Sequence, residues 1–223
     1  LEGNWDVNEG AAFPEFNRAI HVVDPFDIPK SWTRFRACDY GYGSYTGVVW
    51  FAVGPDEQLI VYRELYCSKV TAIDLADMIL EVEKNDGGIR YGVLDSSLWH
   101  KRGDTGPSLA EQMIIRGCRW RPSDRSRGSR VAGKNELHRR LQVDEYTEAP
   151  RMVIFSSCTN LVAQLPSIPL DKRNPEDVDT NVEDHLYDAL RYGVMTRPRS
   201  SLFDFDPATQ RTGFQAADTK FGY

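Results

Sequence analysis

Apolar side chains gather in three closely spaced strand-like runs, residues 33–39, 46–53 and 59–66, rich in β-branched and aromatic residues. The links between them are short turns, Tyr40-Gly41-Tyr42-Gly43-Ser44 and Gly54-Pro55-Asp56-Glu57, so the three runs predict an antiparallel meander. A helix follows, with Leu75, Met78, Ile79 and Val82 at helical spacing behind Thr71 as N-cap and Asn85-Asp86-Gly87-Gly88 as its end. A fourth strand over residues 89–94 runs directly into Asp95. Beyond it the pattern predicts a helix over 107–116 closed by Gly117, a short strand over 118–121 and a mobile basic loop over 122–133. Then come a helix over 134–143, a strand over 152–155 and a helix from Asn160 that Pro166 and Pro169 interrupt. The last helix is the strongest, with Thr180 and Glu183 spaced as a capping box before Asp184-His185-Leu186-Tyr187-Asp188. Residues 1–32 read as an irregular lead-in that packs on the domain, and residues 198–223 as a flexible tail without periodicity. The order of elements is that of an α/β domain whose mixed sheet adds parallel strands to the antiparallel three.

Composition narrows the class. A chain of 223 residues with 41% hydrophobic residues can bury a single core of ordinary size, and no stretch approaches the length of a membrane span. No signal peptide is visible, and the absence of an initiator methionine points to a piece of a longer polypeptide. The four cysteines are dispersed, without a C-x-x-C pair, and read as reduced, mostly buried thiols of a cytosolic protein. The formal charge of −6 argues against a generic nucleic-acid coat. Yet between Arg116 and Arg140 nine Lys/Arg face two acids, a local net of +7 suited to a phosphate backbone.

The chemistry lies in the carboxylates. Asp39 ends the first strand beside a glycine-rich turn, and Asp95 ends the fourth; each alone is explained equally by turn formation. Asp184 and Asp188 share a helix face, with Leu186 and Leu190 turned about 200° away at 100° per residue. By themselves they describe a solvated face, although like charges at that spacing cost a helix about 0.2–0.5 kcal/mol. If the first and fourth strands are neighbours, Asp39 and Asp95 reach a common edge, and the last helix can lay Asp188 across it. Three carboxylates converging without basic partners require a cation, and hard oxygen donors select Mg²⁺ or Mn²⁺. Gly128-Ser129-Arg130-Val131-Ala132-Gly133-Lys134-Asn135 comes close to a nucleotide phosphate loop, but Asn135 replaces the magnesium-binding hydroxyl.

The strand ending in Asp39 with its glycine hairpin, the strand ending in Asp95 and the helix His185-Leu186-Tyr187-Asp188-Ala189-Leu190-Arg191-Tyr192 together resemble the nuclease domain of the large terminase subunit of tailed bacteriophages. That domain belongs to the ribonuclease H-like (retroviral integrase) superfamily, and the resemblance spans residues 35–194. It implies a ribonuclease H-like mixed sheet flanked by helices, and metal-dependent cleavage of concatemeric double-stranded viral DNA by a two-metal mechanism. It implies Asp39 as a ligand bridging two Mg²⁺ or Mn²⁺ ions, Asp95 and Asp188 as further catalytic ligands, and Asp184 and His185 as second-tier ones. Arg119, Arg121, Arg125, Arg127, Arg130 and Lys134 would then hold DNA phosphates. The same resemblance divides the chain into a lead-in (1–32) from an ATPase domain of the same polypeptide, a nuclease domain (33–197) and a tail (198–223). The portal protein and small terminase subunit follow as partners, and the host cytoplasm as the location, with no membrane. Two rival readings are an actin-like ATP-binding domain, from the likeness of Asp39-Tyr40-Gly41 and Thr46 to a phosphate hairpin, and a catalytically silent docking module of the packaging machine.

Overall fold

A computed structural model describes residues 10–101 and 106–196. The segment around Gly3-Asn4-Trp5-Asp6 and the tail from Pro198 therefore lie outside the described residues. The three predicted runs form β2 (Arg34–Asp39), β3 (Tyr45–Val53) and β4 (Leu59–Ser68), antiparallel as expected. They sit at the middle of a seven-stranded sheet, ordered β1-β7-β4-β3-β2-β5-β6. On one side β5 (Tyr91–Leu94) runs parallel to β2, and the two-residue β6 (Arg121–Pro122) runs parallel to β5. On the other side β7 (Met152–Phe155) runs parallel to β4, with β1 (Val22–Val23) parallel to it at the edge.

All six residues of β2 are buried, so both its faces are covered and its period-2 alternation decides what each face does. One face carries Arg36, which pairs with Glu83 through two contacts of 2.9 Å and lies 4.3 Å above the Trp120 ring. Trp50, opposite Arg36 in the register, donates to the same Glu83 carboxylate at 2.7 Å. A guanidinium can occupy a core strand here because Glu83 meets its charge and its Nη2 donates to the Arg119 carbonyl at 2.9 Å, although its Nε is buried without a hydrogen-bond partner. The other face carries Phe35, Ala37 and Asp39. Phe35 stacks on Phe51 at 4.7 Å and on Tyr91 at 4.9 Å.

Thr71 caps α2 (Ala72–Glu83) as expected, accepting from the Asp74 amide. The buried stripe is Ala72, Leu75, Ala76 and Ile79, however, and Met78 and Val82 of the expected stripe are exposed. Two alanines, silent in a pattern of large apolar residues, bring the helix close to the core. Ser108 and Glu111 form the capping box of α3 (Leu109–Ile115), which packs against α2.

The expected loop over 122–133 is half helix. Gly128, at φ +85°, starts α4 (Ser129–Leu141), five residues ahead of the predicted start at Lys134. Gly133 lies within α4 where it crosses the last helix closely: a Cβ on it would stand 2.4 Å from Arg191 Cγ. The near phosphate-loop sequence is thus the first turns of a helix. After α5 (Thr159–Gln164), the last helix is α6 (His185–Met195), capped at Asp184 and not at Thr180. Every residue from Leu186 to Val194 is buried, because α6 lies across β2 and β3 with α4 and α5 against it. Burying Leu186 and Leu190 stabilises by about 1.5–3 kcal/mol each, which outweighs the small helical repulsion of Asp184 and Asp188.

From Gly10 onward the lead-in packs on the rest of the chain, with Phe13, Phe16 and His21 buried and His21 Nε2 2.7 Å from the Leu141 carbonyl. Its short helix α1 (Arg18–His21) and the edge strand β1 carried no sequence signal. The four cysteines are free thiols, three of them buried. Among the described residues no helix is long and apolar enough to cross a membrane.

Candidate active site

Parallel pairing of β2 and β5 ends in one decisive hydrogen bond, from the Asp95 amide to the Cys38 carbonyl at 3.2 Å. It sets Asp95 beside Asp39 at the same edge of the sheet. The Asp95 carboxylate accepts from the Ser97 amide at 3.1 Å and from the Ser97 hydroxyl, which starts a short 3₁₀ turn and leaves Asp95 half-buried. Asp188, in the first turn of α6, lines the same cavity, whose volume is about 520 Å³. The three predicted ligands therefore face one space.

Among the described residues each of these acids except Asp95 has a basic neighbour. Asp39 is 9% exposed; His185 Nδ1 lies 2.5 Å from its Oδ2, and the Tyr192 hydroxyl donates to its Oδ1 at 3.3 Å. Burial pushes the Asp39 carboxyl above its ordinary value, the His185 hydrogen bond opposes that, and the charges of Asp188 and Asp95 add to the rise. His185 is raised in turn, chiefly by its hydrogen bond to Asp39. Asp188 accepts from Arg191 Nε at 2.9 Å and from Arg130 Nη1 at 3.1 and 3.2 Å. Asp184 is half-buried and pushed up to about 6, first by burial and then by Asp188. Arg130 Nη2 lies 3.8 Å from it, while Arg130 Nε donates to Asp177 at 2.9 Å.

The expectation that the acids converge without basic partners is corrected: Arg130 and Arg191 pair with Asp188, and His185 with Asp39. Among the described residues no three His, Cys, Asp or Glu side chains close on one point as a finished metal-binding group. The donors nevertheless suit a hard divalent cation. Three carboxylates face a polar cavity, and the buried Asp39 carboxyl is held against its own desolvation and the repulsion of its neighbours.

The basic segment divides. Arg119, Arg121, Arg125 and Arg127 are exposed; Arg125 lines the cavity, and the Arg121 guanidinium lies 3.8 Å above the Tyr91 ring. Lys134 is buried, its ammonium 3.4 Å from the Pro175 carbonyl, and Arg130 is engaged by acids. As placed, Lys134 is turned into the fold, whereas Arg130 is 32% exposed and lines the cavity while paired to acids. Sequence reasoning missed Asp177, a single acid in a polar loop with no periodic signal, and gave no role to Tyr192, although it stands within the acid-bearing last helix.

No protein-family model matches the chain, and no curated protein matches it. Solved structures do. The chain is similar to the nuclease domain of the phage P22 large terminase, with a TM-score of 0.67 at 18% identity, covering 84% of this chain and 92% of that one. It is similar to the large terminase of the thermophilic bacteriophage D6E, with a TM-score of 0.66 at 15% identity over 84% of this chain. It spans 45% of that longer protein. It is also similar to the large terminase nuclease of the thermophilic phage G20c with bound cobalt, with a TM-score of 0.58 at 9% identity, covering 83% and 97% of the two chains. At these identities the likeness is one of fold: the chain has the ribonuclease H-like fold of large terminase nuclease domains.

Proposed function

We propose that the chain is a divalent-metal-dependent endonuclease that cuts concatemeric double-stranded viral DNA during genome packaging. The observation that carries the reading is the cavity shared by Asp39, Asp95 and Asp188, with the two strand-end acids aligned by the Asp95–Cys38 backbone hydrogen bond. The fold supports it, and so does the bound cobalt of the G20c nuclease.

Asp39 would bridge two Mg²⁺ or Mn²⁺ ions, Asp95 and Asp188 would each hold mainly one, and Asp184 and His185 stand behind them. Ions held there would supply an activated water and offset charge developing on the phosphodiester. The chain's own part is to hold the ligands: His185 and Tyr192 fix the Asp39 carboxylate, and Ser97 fixes Asp95. Arg119, Arg121, Arg125 and Arg127 would carry the phosphates, positioning DNA without reading its sequence. The same reading makes residues 1–32 the segment leading from an ATPase domain, 33–197 the nuclease and 198–223 a tail. The portal protein and small subunit are then partners in the host cytoplasm.

Incubating the purified chain with linear double-stranded DNA tests the activity. Cutting in Mn²⁺ or Mg²⁺ that stops in EDTA is expected; DNA binding without cutting in either metal would favour the docking module. A second expectation concerns the exposed arginines. The double variant Arg125→Ala/Arg127→Ala lowers the slope of log affinity against log salt by about 0.9 for each phosphate that is no longer neutralised, hence by up to about 2. An unchanged slope in a binding titration removes both residues from the DNA surface.

A further inference from the structure

The Arg130 guanidinium spans three carboxylates from separate places in the chain. They are Asp177 in the loop before α6, Asp184 at its cap and Asp188 in its first turn. Arg130 stands one residue inside α4, just behind Gly128 and the exposed residues 124–127. On Asp188 the two arginines divide the oxygens. Oδ1 takes both Arg191 contacts at 2.9 Å and a longer one of 3.2 Å from Arg130, whereas Oδ2 is held by Arg130 at 3.1 Å. Arg191 is fixed: its side chain is 4% exposed and its guanidinium lies 4.6 Å from the Tyr192 ring. Arg130 is 32% exposed at a helix end, and its Nη2 is buried without a hydrogen-bond partner. Of the two, Arg130 is the one whose departure costs less and exposes a carboxylate oxygen to the cavity.

We infer that Arg130 is a resident counter-ion that occupies Asp188 in the metal-free protein and must leave its Oδ2 before that carboxylate can accept a divalent cation. This rests on the proposed metal site and concerns its control. The charges agree with the exchange. With Arg130 in place, three carboxylates face two guanidiniums; with it gone they face Arg191 alone, leaving a deficit that one divalent cation balances. Cation binding is thereby coupled to the first turn of α4 and the exposed arginines just before it, so a phosphate that draws Arg130 outward would favour metal occupancy.

Calorimetric titration of Mn²⁺ into the whole chain without DNA tests the inference independently of activity. Arg130→Gln should bind Mn²⁺ about tenfold more tightly than the unaltered chain, the screened, partly exposed share of removing a unit charge beside Asp188. Arg130→Lys, which keeps the charge but loses the fork, should fall between them and serves as the readout if the glutamine variant does not fold. Adding Asp188→Asn to Arg130→Gln should erase the gain. Equal or weaker Mn²⁺ affinity in Arg130→Gln overturns the counter-ion role while leaving the metal site standing. No Mn²⁺ binding by any of the proteins overturns the metal site itself and the inference with it.

Discussion

On the proposed function, Asp39→Asn is expected to lower metal-dependent DNA cleavage by about a thousandfold or more, a loss of at least about 4 kcal/mol of transition-state stabilisation. The amide keeps the shape and still accepts from Tyr192, but it removes the charge that Asp39 would bring to bound cations as the proposed ligand. Stability should hardly change, because two effects oppose each other. Burial and the charges of Asp188 and Asp95 make the ionised Asp39 costly in the folded chain, whereas its hydrogen bond with His185 is favourable. Their difference is expected to stay within about 1 kcal/mol. Asp188→Asn should abolish cleavage as well, but it leaves the buried Arg191 and half-buried Arg130 short of a counter-charge. It is expected to cost about 3 kcal/mol. Gel assays of cleavage with thermal melts separate the two: one inactive variant melts like the parent, the other clearly lower. Full cutting by Asp39→Asn in Mg²⁺ or Mn²⁺ would sink the nuclease assignment.

Gly47→Val should be the most damaging single substitution to the fold around the site. Gly47 lies opposite Asp39 in the β2–β3 register, and a Cβ there would stand 2.8 Å from the His185 carbonyl oxygen and 2.9 Å from the Leu186 amide nitrogen. Both neighbours are backbone at the start of α6, so no side chain can swing aside. The strand or the helix end must move, at a cost of about 3 kcal/mol. The movement carries His185 away from Asp39 and shifts Asp188 from the cavity, so Mn²⁺ binding and cleavage should fall with stability. Gly43→Ala, in the nearby turn with nothing within 4 Å of the added carbon, is the control. It should stay within about 0.5 kcal/mol of the parent. A Gly47→Val protein that melts with the parent and retains full Mn²⁺ affinity would show that the close approach does not set the helix position.

The central strands were legible because their signals are local. Apolar runs between Gly/Pro turns define β2, β3 and β4, and Thr71 caps α2 where the pattern places it. The adjacency of Asp39 and Asp95 was legible as a condition, that their strands be neighbours, and the β2–β5 pairing meets it. Capping was less so. Thr180 and Glu183 satisfy a capping box by spacing, yet α6 begins at His185, where β3 approaches it at Gly47. The start of α4 was hidden because glycines at 128 and 133 read as loop, when one starts a helix and the other lets it cross α6.

The sequence by itself determined the meander, the carboxylates at the strand ends and the acid-bearing last helix, since each depends on neighbours within a few residues. Only the tertiary structure decided what balances those acids. Arg130 and Asp188 are 58 positions apart, Arg130 and Asp177 are 47 apart, and His185 and Asp39 are 146 apart. Charge pairs across such separations leave no periodic trace, because burial and strand order select them after the chain has folded. For the same reason one run of basic residues could be read as a single phosphate-binding patch, when packing buries Lys134, pairs the partly exposed Arg130 with acids and leaves Arg119, Arg121, Arg125 and Arg127 facing solvent.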